Sequence, residues 1–168
     1  MPADAPFDPS NYDFTRPVLD IEAIRAINPH RFEMELLTAV VAMDPVAHVV
    51  VGYKDLTASD FWVRGHMPGF PLMPGVLMCE AAAQLTVLYV QHQKITDEGA
   101  LMALGGIEEA RFHRQVRPGE RLVMVGTGIR VHRRMTKFKV TGYVGTEKAF
   151  ETVLIGVPIG KLEDLKGA

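Results

Sequence analysis

The stretch GHMPGFPLMPGVLMCEAAAQLTVLYVQHQK, residues 65–94, decides the fold of this chain. Its first part, residues 65–75, contains three prolines and three glycines, which forbid regular structure but restrict the backbone, so we expect a tightly shaped loop. From Val76 onward the residues favour helix and are apolar around nearly the whole circumference for about four turns. Such a helix lacks a solvent-facing side, so the sequence predicts a central helix enclosed by other elements.

Strand-like segments stand on both sides of this loop and helix. Two runs rich in β-branched residues, 36–43 and 48–56, flank Asp44-Pro45 and predict a hairpin. A short helix is expected to start after the capping residue Asp20 and to stop at Asn28-Pro29. Four more strands are predicted after the central helix, at about 101–112, 122–131, 136–144 and 149–157.

About six strands and one long buried helix predict an α+β protein with a hotdog fold, in which an antiparallel sheet wraps around the helix. Such a sheet has edge strands, and pairing of these edges across a two-fold axis predicts a homodimer or a trimer of dimers. Residues 1–18 hold four prolines without an apolar period and are expected to form an arm on the surface or on a neighbouring subunit. Residues 19–160 are then one domain, followed by a tail at 161–168.

Composition narrows the possible functions. A chain of 168 residues with 48% hydrophobic residues suits one domain, and its longest apolar run is shorter than the roughly 20 residues of a membrane span. Acids and prolines stand where a secretory signal would have Lys or Arg, so a cytoplasmic location is expected. Although the net charge is -2, residues 111–139 contain nine basic residues and one acid, Glu120. This excess of positive charge suggests an acidic partner or anionic ligand.

The sequence offers little for a cofactor to bind. One cysteine, Cys79, allows no internal disulfide or cysteine-based metal cluster. The histidines at 30, 48, 92, 113 and 132 lack metal-ligand spacing, and no glycine motif for phosphate is present, so neither a metal nor a nucleotide cofactor is expected. The basic run lacks interleaved aromatic residues beyond Phe138, so nucleic acid is not an expected partner.

Two residues around the start of the central helix are candidates for acid–base chemistry. Glu80 is an acid in an otherwise apolar helix, and burial would favour its protonated form, which makes it a candidate general acid; the alternative is a structural salt bridge with an arginine such as Arg111. His66, held in the proline- and glycine-rich loop, is a candidate base or an ordinary hydrogen-bonding residue. The first turn of the helix offers free N–H groups that could stabilise an oxyanion. Cys79 is expected to be a poor nucleophile, because its neighbours in the sequence are apolar.

Residues 65–84, G-H-M-P-G-F-P-L-M-P-G-V-L-M-C-E-A-A-A-Q, closely resemble the signature of the 3-hydroxyacyl-[acyl-carrier-protein] dehydratases of type II fatty-acid synthesis, the FabZ/FabA family. N-P-H-R-F at 28–32 resembles the family's L-P-H-R-F. G-I-E-E-A-R-F-H-R-Q-V-R-P-G-E at 106–120 resembles its G-I-D-x-A-R-F-x-R-x-V-x-P-G-D. The resemblance spans about residues 21–157.

This resemblance implies dehydration of a (3R)-3-hydroxyacyl thioester on acyl carrier protein to the trans-2-enoyl thioester, without a cofactor. It implies that His66 takes the C2 proton and that Glu80 of the partner subunit protonates the leaving C3 hydroxyl. Gly75 and Val76 would supply oxyanion N–H groups, and Gln84 would orient Glu80 or a catalytic water. A glutamate at position 80 resembles the FabZ type, so isomerase activity is not expected.

Two departures bear on substrate preference. E-M-E-L-L-T-A-V at 33–40 stands where the family has P-F-L-L-V-D-R, and Met67 replaces an aromatic residue after the histidine. Packing near the site entrance and the acyl-chain preference are therefore open. The alternatives are a hotdog acyl-CoA thioesterase or enoyl hydratase, and a non-catalytic acyl-binding subunit. For the leading function, the basic stretch at 111–139 offers contacts for an acidic carrier protein.

Overall fold

The structure, a computed structural model, describes residues 7–161. It contains two α-helices, α1 (Ile21–Ile27) and α2 (Gly75–His92), and short 3-10 helices at Pro9–Asn11 and Phe32–Met34. Six strands make up one sheet: β1 (Ala39–Asp44), β2 (Val49–Asp55), β3 (Ala100–Phe112), β4 (Arg121–His132), β5 (Met135–Val144) and β6 (Glu147–Lys161). The predicted α+β hotdog architecture, with a sheet around a central helix, is confirmed.

The sheet is antiparallel throughout and has the order β1-β2-β4-β5-β6-β3. Strands β1 and β3 are therefore its two edges. Most predicted strands agree with the observed ones within a few residues, but β6 is longer than predicted. It continues past residue 157 because its last residues pair with the start of β3, where Met102 lies opposite Pro158 and Ala100 opposite Lys161.

Helix α2 packs against the inner face of the sheet. Its side chains Leu85, Leu88 and Tyr89 are fully buried, and burial of each leucine stabilises the fold by about 1.5–3 kcal/mol. The backbone of β2 approaches the helix closely at Gly52, where an added Cβ would lie 2.6 Å from a methyl carbon of Leu85. The expectation of a helix enclosed by other elements is confirmed, although α2 begins at Gly75 rather than Val76.

The short helix α1 positions the segment that follows it. Asp20 caps this helix as predicted, because its carboxylate accepts a hydrogen bond from Ala23 N at 2.9 Å. The helix ends at Ile27, and the side-chain amide of Asn28 then donates to the carbonyl of Gln84 at 3.2 Å. This bond holds the chain after α1 against the middle of α2.

Residues 7–14 lie across the outer face of the sheet. The ring of Phe7 stacks on Tyr143 with a centroid distance of 4.4 Å, and Phe14 meets Tyr53 edge-on at 5.5 Å. Residues 1–6 of the expected arm and 162–168 of the expected tail lie outside the described residues, and Lys161 belongs to β6. None of the helices in the described part is long and apolar enough to cross a membrane.

Candidate active site

The backbone of the loop before α2 is held by its own hydrogen bonds. His66 N donates to the carbonyl of the buried Trp62 at 2.7 Å, and Phe70 N donates to Met67 O at 2.8 Å. Met67 and Gly69 both have positive φ angles, 66° and 84°, which only glycine adopts without strain. The shaped loop expected from the sequence is present, and it carries His66 on one side of the helix start.

The imidazole of His66 is held in one tautomer. Its Nδ1 lies 2.8 Å from the carbonyl oxygen of Leu72. A carbonyl can only accept a hydrogen bond, so Nδ1 carries the proton and Nε2 keeps a free lone pair in the neutral ring. The half-buried side chain lines an open cavity of about 570 Å³, the His66 cavity, which Pro74, Gly75 and Phe112 also line. The residue can therefore act as a base towards a molecule in this cavity.

The first turn of α2 lines the same cavity. The first helical hydrogen bonds are donated by Leu77 and Met78 to Pro74 O, at 2.9 and 3.2 Å. The N–H groups of the two preceding residues, Gly75 and Val76, accordingly have no acceptor within the helix. Such groups at the positive end of a helix dipole can stabilise an oxyanion.

Glycine at position 75 is required by a neighbour on β3. An added Cβ would lie 2.7 Å from Cζ of Phe112, so the aromatic ring packs directly on the backbone of the helix start. The same ring forms part of the wall of the His66 cavity. Any side chain at position 75 would therefore push the ring and reshape the cavity.

Glu80 lies one turn further along α2 and faces a different cavity. Its Oε1 accepts a hydrogen bond from Gln84 Nε2 at 2.9 Å and lies 3.5 Å from His30 Nε2. The salt bridge with Arg111 that the sequence left open is wrong, because the contacts of the Glu80 carboxylate within residues 7–161 are with Gln84 and His30. The side chain is also less buried than expected, since 26% of it is exposed in the single chain. It opens into a cavity of about 150 Å³, the Glu80 cavity.

Gln84 is buried, and both ends of its amide are used. Its Nε2 donates to Met34 O at 3.0 Å as well as to Glu80, and its Oε1 accepts from Leu36 N at 3.2 Å. The amide is therefore fixed from both sides while it donates to the Glu80 carboxylate. It links Glu80 to the backbone between the short helix at Phe32–Met34 and β1.

His30 is a site residue that reasoning from the sequence missed. Its spacing argues only against a metal ligand, yet its ring lies beside the Glu80 carboxylate and lines the Glu80 cavity. Its Nδ1 is buried and has no hydrogen-bond partner among residues 7–161. The signal was its place in the N-P-H-R-F segment, which Asn28 anchors to α2.

His66 and Glu80 of one chain do not meet in one cavity. The His66 cavity and the Glu80 cavity share no lining residue. The single chain thus brings together His66, Gly75 and Val76 on one side of α2, and Glu80 with Gln84 on another. Within the single chain, His66 and Glu80 therefore cannot act on one molecule in the same cavity.

Cys79 has the properties of a packing residue. It is buried, and burial raises the pKa of its thiol, with a smaller opposite effect from Thr152. A raised pKa disfavours the thiolate that a nucleophilic cysteine needs. Within residues 7–161, no group of three His, Cys, Asp or Glu side chains is arranged to hold a metal ion.

Comparison with known proteins identifies the family. The FabZ-type 3-hydroxyacyl-[acyl-carrier-protein] dehydratase of Hydrogenobaculum sp. is 34% identical over 88% of this chain and 99% of its own length. The corresponding protein of Desulforamulus reducens is 37% identical over 82% of this chain and 96% of its own. In fold, the chain is similar to the dehydratase heterocomplex ApeI:P from Xenorhabdus doucetiae, with a TM-score of 0.73 and 15% identity over 90% of this chain and 97% of that one. Because the family model for the FabA-like domain also matches residues 28–153, the chain belongs to the FabA-like family.

Proposed function

We propose that this protein dehydrates (3R)-3-hydroxyacyl thioesters carried on acyl carrier protein to trans-2-enoyl thioesters, as in type II fatty-acid synthesis. The observation that carries the proposal is the tautomer of His66, which leaves Nε2 unprotonated in a residue that lines the same cavity as Gly75 and Val76 at the helix start. The relatives reported above bear the name of this activity. A base beside an oxyanion site is what proton removal next to a thioester carbonyl requires.

The reaction is a β-elimination in which the atoms balance without a cofactor. His66 Nε2 takes a proton from C2 while the N–H groups of Gly75 and Val76 stabilise the negative charge that develops on the thioester oxygen. The electron pair then forms the double bond between C2 and C3, and the C3 hydroxyl leaves as water after accepting a proton from Glu80. Gln84 holds the carboxyl in place for this transfer.

The acid that serves each His66 is proposed to be Glu80 of a partner subunit. Within one chain the two side chains line separate cavities, so a two-fold dimer would let each His66 cavity face the partner's Glu80. The helix start supports this arrangement, because Val76 beside the oxyanion site is 74% exposed in the single chain. An exposed apolar residue at a reaction site is expected to be covered by another surface.

The edge strand β3 is the proposed dimer contact. It has no strand on its outer side, and Leu104, Ile107 and Phe112 along it are all exposed. An exposed apolar edge strand can pair with the same strand of a second copy and extend the sheet across the two-fold axis. We propose a homodimer on this basis, with a trimer of dimers as the possible larger assembly.

The positively charged residues at the mouth of the His66 cavity favour an acidic carrier protein as the partner. His113 and Arg114 line this cavity and also a shallow neighbouring cavity of about 500 Å³ that continues to Arg117. Arg117 is exposed, with its guanidinium 4.1 Å from the centre of the Phe70 ring. Arg114 is paired with Glu120 and Glu147, so the exposed Arg117 is the cation proposed to attract an acidic carrier and to orient the thioester at its tip. We further propose a cytoplasmic location, where such carriers deliver acyl groups.

The test is the appearance of the conjugated enoyl thioester when purified protein meets a 3-hydroxyacyl carrier substrate. Wild type should form it, whereas His66→Ala and Glu80→Gln should each lose at least about a hundredfold in kcat. His92→Ala and Glu33→Gln, which change exposed residues of the same types, should retain wild-type rates. Free thiol release without enoyl product would instead indicate a thioesterase, and no reaction in a folded wild type would overturn the proposed function.

A further inference from the structure

Two cavities meet at Gln91, in the last turn of α2. The Glu80 cavity lies on one side of this residue, and a larger one of about 390 Å³, the far cavity, lies on the other. Both are lined by Gln91, Pro29 and Leu101, so these residues form the boundary between them. The far cavity continues between the end of α1 and the chain that leads into β3.

A stripe of α2 leads from the proposed acid to this boundary. Glu80, Ala83, Val87 and Gln91 follow one another at spacings of three and four residues, so they share one face of the helix, and all line the Glu80 cavity. The middle of the stripe is small and apolar, which is suited to a hydrocarbon chain lying along the helix.

Gln91 is fixed across the end of the stripe. Its Nε2 donates a hydrogen bond of 3.1 Å to the carbonyl of Ala100, the first residue of β3, so the amide spans from the helix to the strand. Its Oε1 is buried and has no hydrogen-bond partner among the described residues. A buried amide oxygen without a hydrogen-bond partner destabilises the folded state, so a polar group at this boundary is kept at the expense of stability.

We propose that Gln91 sets the acyl-chain length that the enzyme accepts, by closing the far end of the acyl pocket. This rests on the proposed function, in which Glu80 protonates the C3 hydroxyl, so the carbons beyond C3 extend from Glu80 towards Gln91. A cavity of about 150 Å³ takes a benzene-sized group, so the native pocket holds a short acyl chain and excludes longer ones. An extended long chain would meet the Gln91 side chain, which its hydrogen bond to the carbonyl of Ala100 holds across the end of the pocket.

The far cavity supplies the space that a longer chain would need. In Gln91→Ala the side chain that separates the two cavities is removed, which would join them into one pocket. Gln91→Leu keeps a side chain of similar size at the boundary and is expected to keep the restriction. Gln93→Ala is the matched control, since it removes the same kind of side chain two residues on, outside the lining of both cavities.

The experiment measures kcat/KM for 3-hydroxybutanoyl, 3-hydroxyoctanoyl, 3-hydroxydodecanoyl and 3-hydroxyhexadecanoyl carrier thioesters. Wild type, Gln91→Leu and Gln93→Ala should prefer the two shorter chains, whereas Gln91→Ala should gain about tenfold on the dodecanoyl substrate relative to the octanoyl one. Equal rates at all lengths in wild type, or an unchanged ratio in Gln91→Ala, would overturn the proposal.

Calorimetric binding of non-hydrolysable saturated acyl-pantetheine amides of the same lengths provides a second readout that does not depend on turnover. Tighter binding of the dodecanoyl amide by Gln91→Ala than by wild type supports the proposal even if no substrate is dehydrated, an outcome that would overturn the proposed function alone. Equal affinities of wild type and Gln91→Ala for the long amide would overturn the role of Gln91, whatever the activity.

Discussion

Gln84 Nε2 donates a hydrogen bond of 2.9 Å to Glu80 Oε1, one helical turn away. The same amide bonds to the backbone at Met34 and Leu36, so the proposed acid is tied through Gln84 to a segment about 50 residues earlier in the chain. The carboxyl is therefore held in one orientation within the cavity that it lines. Its orientation depends on a partner whose own position is fixed by backbone groups.

Gln84→Leu is expected to lower kcat about ten- to a hundredfold with little change in KM, because the carboxyl loses its orienting donor while the substrate contacts remain. The unfolding free energy should fall by about 1–3 kcal/mol, since Leu36 N and Met34 O lose their partner in a buried place. Steady-state kinetics and urea unfolding test both effects, with Gln93→Leu as the control. A folded Gln84→Leu variant with wild-type kcat would show that Gln84 does not position Glu80.

Gly75→Ala is expected to reduce kcat/KM at least about tenfold, because the new methyl group would press on the Phe112 ring that walls the His66 cavity. The second change Phe112→Leu, which removes the ring, should restore part of the loss in the double variant. Kinetics of the two single variants and the double variant provide the measurement. Simple additivity of the losses would contradict a direct clash.

Arg117→Glu is expected to raise KM about three- to tenfold for a substrate on carrier protein and to leave KM unchanged for the same acyl group on pantetheine. The reason is that the exposed guanidinium at the cavity mouth would meet the acidic carrier and not the acyl chain. The difference should shrink as salt concentration rises, because salt screens exposed charges. Arg16→Glu on the exposed arm is the control, and an equal effect of Arg117→Glu on both substrates would contradict the role.

Stability should depend on pH through Glu35. The two guanidinium nitrogens of Arg25 that face it donate hydrogen bonds of 2.8 Å each, which lowers the pKa of the Glu35 carboxyl below its usual value. A pKa lowered in the folded state stabilises the fold above the unfolded-state pKa, and this contribution is lost as pH falls through the folded-state pKa. Because Arg25 is 40% exposed, the contribution should be below about 1 kcal/mol.

Urea unfolding of Glu35→Gln and wild type tests this. The variant should be less stable at neutral pH, and the difference between the two proteins should disappear as the pH falls through the lowered pKa of Glu35. Glu33→Gln, at an exposed neighbouring position, should show no such pH-dependent difference. A gap between Glu35→Gln and wild type that widens on acidification would contradict the assignment.

Local sequence patterns predict most of the fold. Loop 65–75 and helix α2 follow from proline, glycine and helix-forming residues that act on their own neighbourhood, and α1 follows from its Asp20 cap. The length of β6 could not be predicted, because its last residues are held as a strand by pairing with β3 some 60 residues earlier in the chain.

The site was less predictable than the fold. An acid in an apolar helix was expected to be buried, yet Glu80 opens into a cavity, because helix periodicity does not show where the surrounding structure leaves space. The recurrence of Glu80, Gln84 and Gln91 on one helix face was a signal for this cavity. The contact with His30 depends on a segment 50 residues away, which no local pattern in α2 reveals.

The most direct test of the central claim is complementation between two inactive variants. In a dimer of His66→Ala with Glu80→Gln, one site loses both groups and the other keeps an intact His66 and an intact Glu80. When the two variants exchange subunits at random, about half of the dimers are mixed and each has one intact site. The mixture should therefore regain about a quarter of wild-type activity. Mixtures that stay inactive after confirmed subunit exchange would contradict a site shared between subunits.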